Sequence, residues 1–497
     1  MKNIKILLIN CEVKAPSTVS VGLTSIATHL LTKSIDVEIF DDAPYMLNMD
    51  DETQDPREKA NLILKTDPTQ LYNLPYANRY CDLLSLVNRF KPDLVGAYAT
   101  EVTFNNAVKY LREIKKNDST IKTILGGPFV MLCPDFAISP DVVDMVALGE
   151  GELILEEYCK RCQLGTNPTE TKGLWIKEMD GSIRKNPPSS LVDINKIPSL
   201  RYDLYPIKRL NRPISGAVRR MLPLDLDRGC VYGCTYCSCP TLKSNFENFD
   251  IGSWYRKRDI INIDRDISTY VKLYDPEYFF ITSDTFLSMT RKYFDDFIGM
   301  YKKYMIPFWM NTRPETIKDY HIGKLKDVGL ERMSMGVECG NEVYRKKILG
   351  RKYSNSSLIY SFDVFKKYNI KITTNVMLGL PGETRELIFD TIRLIKKLKP
   401  TNFGLVIYQP FRGTPLHKYC VDNKYYDPEN LIDVTRYTPQ IYNPHLTEKE
   451  ILKLFYAFNL YIKMDESDWP VIDSIDMDTE EGINLFNKLI IEYPHSE

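Results

Sequence analysis

Apolar residues in the first 165 positions fall into short runs separated by amphipathic stretches. Ile4 to Ile9 is apolar and ends at Asn10; a Pro-containing loop follows, then an amphipathic segment from Gly22 to Leu31. The alternation continues through Val37 to Phe40, Asp93 to Ala99, a helical pattern near Asn105 to Lys115, Lys122 to Leu125 with Gly126-Gly127, and Met145 to Leu148 with Gly149-Glu150-Gly151-Glu152. Short buried strands alternating with helices predict a doubly wound parallel sheet, which takes ligands beyond the carboxyl ends of its strands. Residues 43 to 79 are polar and read as an insertion lying over that sheet, and residues 166 to 220, rich in Pro and Gly, read as a connector.

A second alternation runs from about 221 to 415. Tyr278 to Ile281 ends at Ser283-Asp284, Phe308 to Met310 at Asn311 and Arg313, Met333 to Val337 at Glu338, Ile372 to Leu378 at Gly379-Leu380-Pro381-Gly382-Glu383, and Phe403 to Ile407 at Gln409. With the strand before Cys230, six strands carry polar or Gly residues at their carboxyl ends, the geometry of a β/α barrel with its active face there. Residues 416 to 497 hold one clear amphipathic helix, Glu448 to Lys463. The expected fold is α/β: a doubly wound domain over 1–165, a connector over 166–220, a partial barrel over 221–415, and a small, mainly helical region that shapes the substrate pocket.

Charge removes some function classes. The 497 residues carry 65 Lys and Arg against 66 Asp and Glu, so no global field draws the chain to nucleic acid or an anionic membrane. No stretch approaches the 18 apolar residues a spanning helix needs. Eleven cysteines are too few for a disulfide scaffold, and the N-terminus lacks a signal-peptide cleavage region, so a cytoplasmic location is expected.

The densest chemistry lies in LDRGCVYGCTYCSCP, where Cys230, Cys234 and Cys237 share one Gly-containing loop and can converge on one metal centre. Structural zinc needs a fourth ligand; no second Cys pair or His pair follows, and Cys239 sits too close to Cys237 to face the same centre easily. An iron-sulfur cluster with one open iron uses three cysteines naturally. Cys159 and Cys162 lie within a predicted helix and read as structural.

C-x-x-x-C-x-aromatic-C, with Tyr236 as the aromatic, resembles the signature of the radical S-adenosylmethionine (SAM) superfamily. The resemblance implies a 4Fe-4S cluster on Cys230, Cys234 and Cys237, with SAM chelated at the open iron. It also implies a SAM site drawing on Tyr236, Asp284, Glu338, Gly379, Gly382 and Gln409, with Glu338 on the ribose hydroxyls. Asp284 stands where many members have a Gly-Gly-Glu-like segment. Cys339 is a candidate catalytic thiol, with a small buried packing residue as the alternative. Arg313 caps a strand or binds a carboxylate.

The segments PDLVGAYATEVTFNNA, ILGGP and GEGE resemble the cobalamin-binding domain that precedes the barrel in one branch of the superfamily. They imply a cobalamin site at Ser17, Thr100, Thr103, Gly126, Gly127, Gly149 and Glu150. The usual axial-histidine motif is missing after the first strand, and His29 lies too far along its helix to replace it. The resemblance implies a 5'-deoxyadenosyl radical and C-methylation of an unactivated carbon, with an electron donor such as flavodoxin or ferredoxin and a small-molecule or peptide substrate. Cyclisation, ring contraction or rearrangement is the alternative. RNA methylthiolation, suggested by GLPGE, and a non-catalytic sensor role rank lower; the C-terminal tail is acidic, and nucleic acid is not an expected partner.

Overall fold

The computed structural model describes residues 4–12, 18–47, 70–71, 78–214, 216–249, 251–432 and 437–494. Ser17 and most of the predicted insertion over 43–79 lie outside them.

The N-terminal sheet contains β1 (Lys5–Asn10), β2 (Asp36–Asp41), β3 (Leu94–Tyr98), β4 (Lys122–Gly126), β5 (Met145–Ala147), β6 (Leu174–Lys177) and β7 (Ile183–Lys185), in the order β2-β1-β3-β4-β5-β6-β7. The first five are parallel, and the last two add antiparallel. Period-two packing explains the two-sided burial of β1. Ile6 and Leu8 pack with the helix Val21–Thr32, while Leu7 and Ile9 pack with the helices Arg79–Phe90 and Glu101–Asn117.

The second sheet begins with β8 (Asn211–Ile214) antiparallel to β9 (Ala217–Leu224); a short ladder pairs β10 (Asp227–Arg228) with β11 (Arg256–Lys257). Five further parallel strands follow: β12 (Tyr278–Ile281), β13 (Phe308–Thr312), β14 (Leu330–Glu338), β15 (Lys371–Leu378) and β16 (Asn402–Ile407). The order β16-β15-β14-β13-β12-β9-β8 gives six parallel strands curled as a half-barrel. Outer helices close it: Arg385–Leu398 starts at a Thr384 cap and buries Ile388, Ile392 and Ile395 on one stripe. The helix Glu448–Lys463 starts at a Thr447/Glu450 capping box, and its Phe458 ring packs on Phe403 of β16.

The stretch 166–220 departs from the connector reading. It supplies β6 to β8 and the start of β9. Its Pro and Gly residues hide two edge hairpins whose strands are too short to show a period.

Three carboxylates join the halves, Glu101 and Glu152 buried and Glu150 half-buried. Glu152 accepts from Ser25 Oγ at 2.6 Å and from Arg228 Nη2 at 2.7 Å; Glu150 binds Arg228 at 3.0 Å and Arg256 at 2.6 Å. Glu101, at the start of its helix, accepts the backbone N–H of Arg412 at 2.6 Å and of Ile432 at 3.2 Å. Removing one partner of a buried pair leaves an uncompensated charge. Glu152→Ala is therefore expected to cost about 3 kcal/mol, the lower end for such a pair because Glu150 remains. A lowered urea midpoint checks it, and an unchanged midpoint contradicts it.

Candidate functional site

The cysteine loop enters through Gly229 at φ +86°, where a Cβ would lie 2.4 Å from the Trp254 carbonyl oxygen, so only Gly fits. Thr235 anchors the loop by donating N–H to Leu349 O at 3.2 Å and Oγ1–H to Ile348 O at 2.5 Å. Cys230 and Cys237 are half-buried and Cys234 is buried. Arg313 from the end of β13 donates Nη1–H to Cys234 Sγ at 2.9 Å, stacks on Tyr232 at 3.9 Å and pairs with Glu315 at 2.8 Å. The Arg313 guanidinium thus faces a sulfur that a thiolate would make negative. Cys239 donates its N–H to Cys237 Sγ at 3.5 Å, and hydrogen bonding from Cys239 brings the Cys237 thiol down to about 7; burial raises that of Cys230. Among the described residues no three His, Cys, Asp or Glu side chains converge as ligands of one ion. Three thiols on one loop with guanidinium and amide donors suit a cube whose irons each take one sulfur, and do not suit a closed zinc site.

Glu338 ends β14 at a register shift and adopts φ +62°, a left-handed conformation uncommon for a non-Gly residue. The surroundings enforce it. Tyr236 Oη–H donates to Glu338 Oε1 at 3.0 Å, Arg351 pairs with the same oxygen at 3.1 Å, and Tyr353 donates to the carbonyls of Gly336 and Val337. A Cβ at Gly336 would stand 1.9 Å from Glu338 Oε1, so Gly336 is the space into which the carboxylate folds. Tyr236 and Glu338 are thus in direct contact.

Gly379 and Gly382 have φ +69° and +72°, and Glu383 Oε2 accepts the Leu380 N–H at 3.1 Å inside that turn. Gln409 donates Nε2–H to the carbonyls of Ile407 and Thr438, while its buried Oε1 has no partner among the described residues. An unmet acceptor beside glycine-lined backbone and a carboxylate fits a ligand with amino and hydroxyl donors, as SAM has. Asp284 is exposed and accepts from Cys239 Sγ at 3.7 Å.

The candidate thiol Cys339 lies in the core, as its packing alternative expects. It is fully buried among Ile348, Leu349, Met377, Leu380 and Tyr408, and burial pushes its thiol up to about 12. It packs as a small apolar residue.

At the carboxyl edge of the N-terminal sheet, a Cβ at Gly22 meets nothing within 4 Å, and one at Gly126 nothing closer than 3.9 Å. That open, small-residue edge fits a bulky planar cofactor such as cobalamin. Thr100 and Thr103 sit there but bond each other at 3.0 Å as a helix cap. Gly127, φ +109°, answers a nearer demand, because its Cβ would lie 2.6 Å from Ala99 O. Gly149 has φ +139°, and the Glu150 carboxylate is engaged by Arg228 and Arg256. His29 pairs with Glu156 at 2.6 Å, which keeps it from the edge. Val102, directly after Glu101, packs into the apolar cluster that also contacts Tyr236. The start of that helix and the cysteine loop therefore pack against one shared cluster.

Residues 226–395 match the radical SAM superfamily and residues 68–158 the B12 binding domain. An uncharacterized methyltransferase of Pyrococcus horikoshii is 24% identical over 378 residues, 76% of this chain and 79% of that protein. An anaerobic magnesium-protoporphyrin IX monomethyl ester cyclase of Rubrivivax gelatinosus is 22% identical over 68% of this chain and 60% of its own length. Among solved structures, the radical SAM methyltransferase TsrM of Kitasatospora setae, with cobalamin and a [4Fe-4S] cluster bound, superposes at TM-score 0.66 with 14% identity, covering 99% of this chain and all of that one. The cobalamin-dependent SAM radical enzyme OxsB also gives 0.66, with 12% identity over 99% of this chain and 71% of its own. The two structures show a shared fold. The chain thus carries a radical SAM domain and a B12 binding domain, the domains that hold a 4Fe-4S cluster with SAM and cobalamin.

Glu383 supplies a pH test. Burial raises its carboxyl to about 8 from the usual 4.5. The folded state therefore holds a proton that the unfolded chain releases, so stability is fully present below pH 4.5 and is lost as pH rises to about 8. The slope is up to about 1.4 kcal/mol per pH unit. Urea melts from pH 5 to 8 are expected to show this decline in the native chain and not in Glu383→Gln; parallel declines contradict it.

Proposed function

We propose that the protein methylates an unactivated carbon of a small-molecule or peptide intermediate in a biosynthetic pathway. The observation that carries this reading is that Val102, at the carboxyl edge of the cobalamin-type sheet, and Tyr236 of the cysteine loop pack against one shared apolar cluster. When bound, the cluster with SAM supplies hydrogen abstraction and cobalamin supplies a transferable methyl group. The chain's residues do the positioning. Cys230, Cys234 and Cys237 would hold the cluster; Tyr236, Glu338 and Gln409, with the backbone at Gly379 and Gly382, would orient SAM. Gly22 and Gly126 would leave room for cobalamin. Glu101 accepts the backbone N–H groups of Arg412 and Ile432 and so ties the two halves together.

Among the described residues no helix is long and apolar enough to cross a membrane, and we take the enzyme to act on a diffusible substrate in the cytoplasm. Cells fed methyl-deuterated methionine, with and without the chain, are expected to differ by a metabolite carrying one intact labelled methyl group. The relative that is a cyclase favours ring formation as the second reading, and a chain-dependent product without label selects it. Replacing Cys234 with Ala is expected to lower 5'-deoxyadenosine formation by more than 100-fold in anaerobic assays; undiminished formation contradicts the cluster assignment.

A further inference from the structure

The three cysteine sulfurs meet unequal surroundings. Cys230 Sγ faces the Thr285 hydroxyl at 4.0 Å, and Cys237 Sγ accepts the Cys239 N–H at 3.5 Å. Cys234 is the buried member of the set, and among the described residues it is the one whose sulfur accepts a hydrogen bond from a formal positive charge, at Arg313 Nη1. A guanidinium keeps its proton throughout the working pH range, so that charge is permanent.

Arg313 is held from several sides. Pro314 follows it and opens the turn Pro314–Thr316, and the Tyr232 ring covers the guanidinium at 3.9 Å. Glu315 accepts from Nε at 3.4 Å and from Nη2 at 2.8 Å, which leaves Nη1 for Cys234. The carboxylate that Arg313 binds is therefore its own neighbour two residues on, and all three guanidinium nitrogens have partners. Glu315 offsets part of the positive charge felt at the sulfur. Its side chain is 31% exposed against 6% for Arg313, so water screens the carboxylate more than the guanidinium. The other guanidinium near this sulfur, Arg351, is paired with Glu338 Oε1 at 3.1 Å.

We propose that Arg313 sets the reduction potential of the cluster, holding it less negative through its charge and hydrogen bond at Cys234. This rests on the cluster reading above. One electron from a low-potential one-electron donor enters the oxidised cluster without a proton, so the cluster and its thiolates together become more negative by one charge. A buried cationic donor at a ligand sulfur stabilises that more negative state more strongly than the state before it. A milder donor can then reduce the cluster. A brace between β13 and the loop, acting by shape alone, would leave the potential where it was.

The test is an anaerobic redox titration of the reconstituted chain with titanium(III) citrate, the reduced cluster being followed by electron paramagnetic resonance. R313M is expected to shift the reduction equilibrium about tenfold toward the oxidised cluster, which for one electron is about 59 mV more negative. E315Q removes the offsetting carboxylate and keeps the guanidinium; it is expected to shift the equilibrium the other way, by about threefold. R313K keeps a charge without the fork and is expected to lie between the native chain and R313M. Opposite signs separate charge from damage, because a loosened loop gives no reason for the two variants to move apart. An R313M potential equal to the native one, R313K at or below R313M, or E315Q at or below the native chain overturns the proposal. If R313M fails to hold a full cluster, the sign of the E315Q shift decides. A native chain that assembles no 4Fe-4S cluster overturns the cluster reading itself.

Discussion

The architecture depends on buried negative charge whose partners lie on the other half of the molecule. Glu152 and Glu101 belong to the N-terminal sheet's helices, yet the groups that satisfy them are Arg228 and the amides of Arg412 and Ile432. A buried carboxylate without partners is costly, so the halves are held at the relative position that satisfies both. Arg228 directly precedes Gly229 and Cys230, so the same contact that joins the halves fixes where the cysteine loop begins. Cofactors on two separate sheets can react with one substrate only if their separation is fixed, and these contacts fix it.

Within the half-barrel, local strain serves the same end. Glu338 is held in a left-handed conformation by Tyr236, Arg351 and the space at Gly336, which links the end of β14 to the cysteine loop through one carboxylate oxygen. Arg313 links β13 to Cys234 in the same way. Sites on rigid strand ends, cross-braced by side chains from neighbouring turns, meet the positional tolerance that radical chemistry requires.

Much of this was legible in the sequence because the signals were local. Both sheets announced themselves through apolar runs ending in Gly or polar residues, and the three cysteines stood on one loop. What stayed hidden depends on residues far apart in the chain. Arg351 carries no motif and Glu101 sits unmarked inside a recognisable segment; their roles arise from contacts that the fold brings together. Glu150 sat in a recognisable turn, yet its carboxylate serves Arg228 and Arg256. Cys339 follows Glu338 just past the end of its strand, where the left-handed turn at Glu338 breaks the alternation, and its side chain packs in an apolar cluster that no local pattern marks. The strands β6 to β8 were missed because three or four residues show no period.

The account's central claim is that three thiols hold a cluster whose remaining iron is open to SAM. The most direct measurement is electron paramagnetic resonance of the reduced, anaerobically reconstituted protein, with iron and sulfide counted, before and after SAM is added. A 4Fe-4S signal that shifts on SAM addition, and is lost when Cys230, Cys234 or Cys237 is replaced, is the predicted result. A protein-capped metal, or a cluster indifferent to SAM, would contradict it.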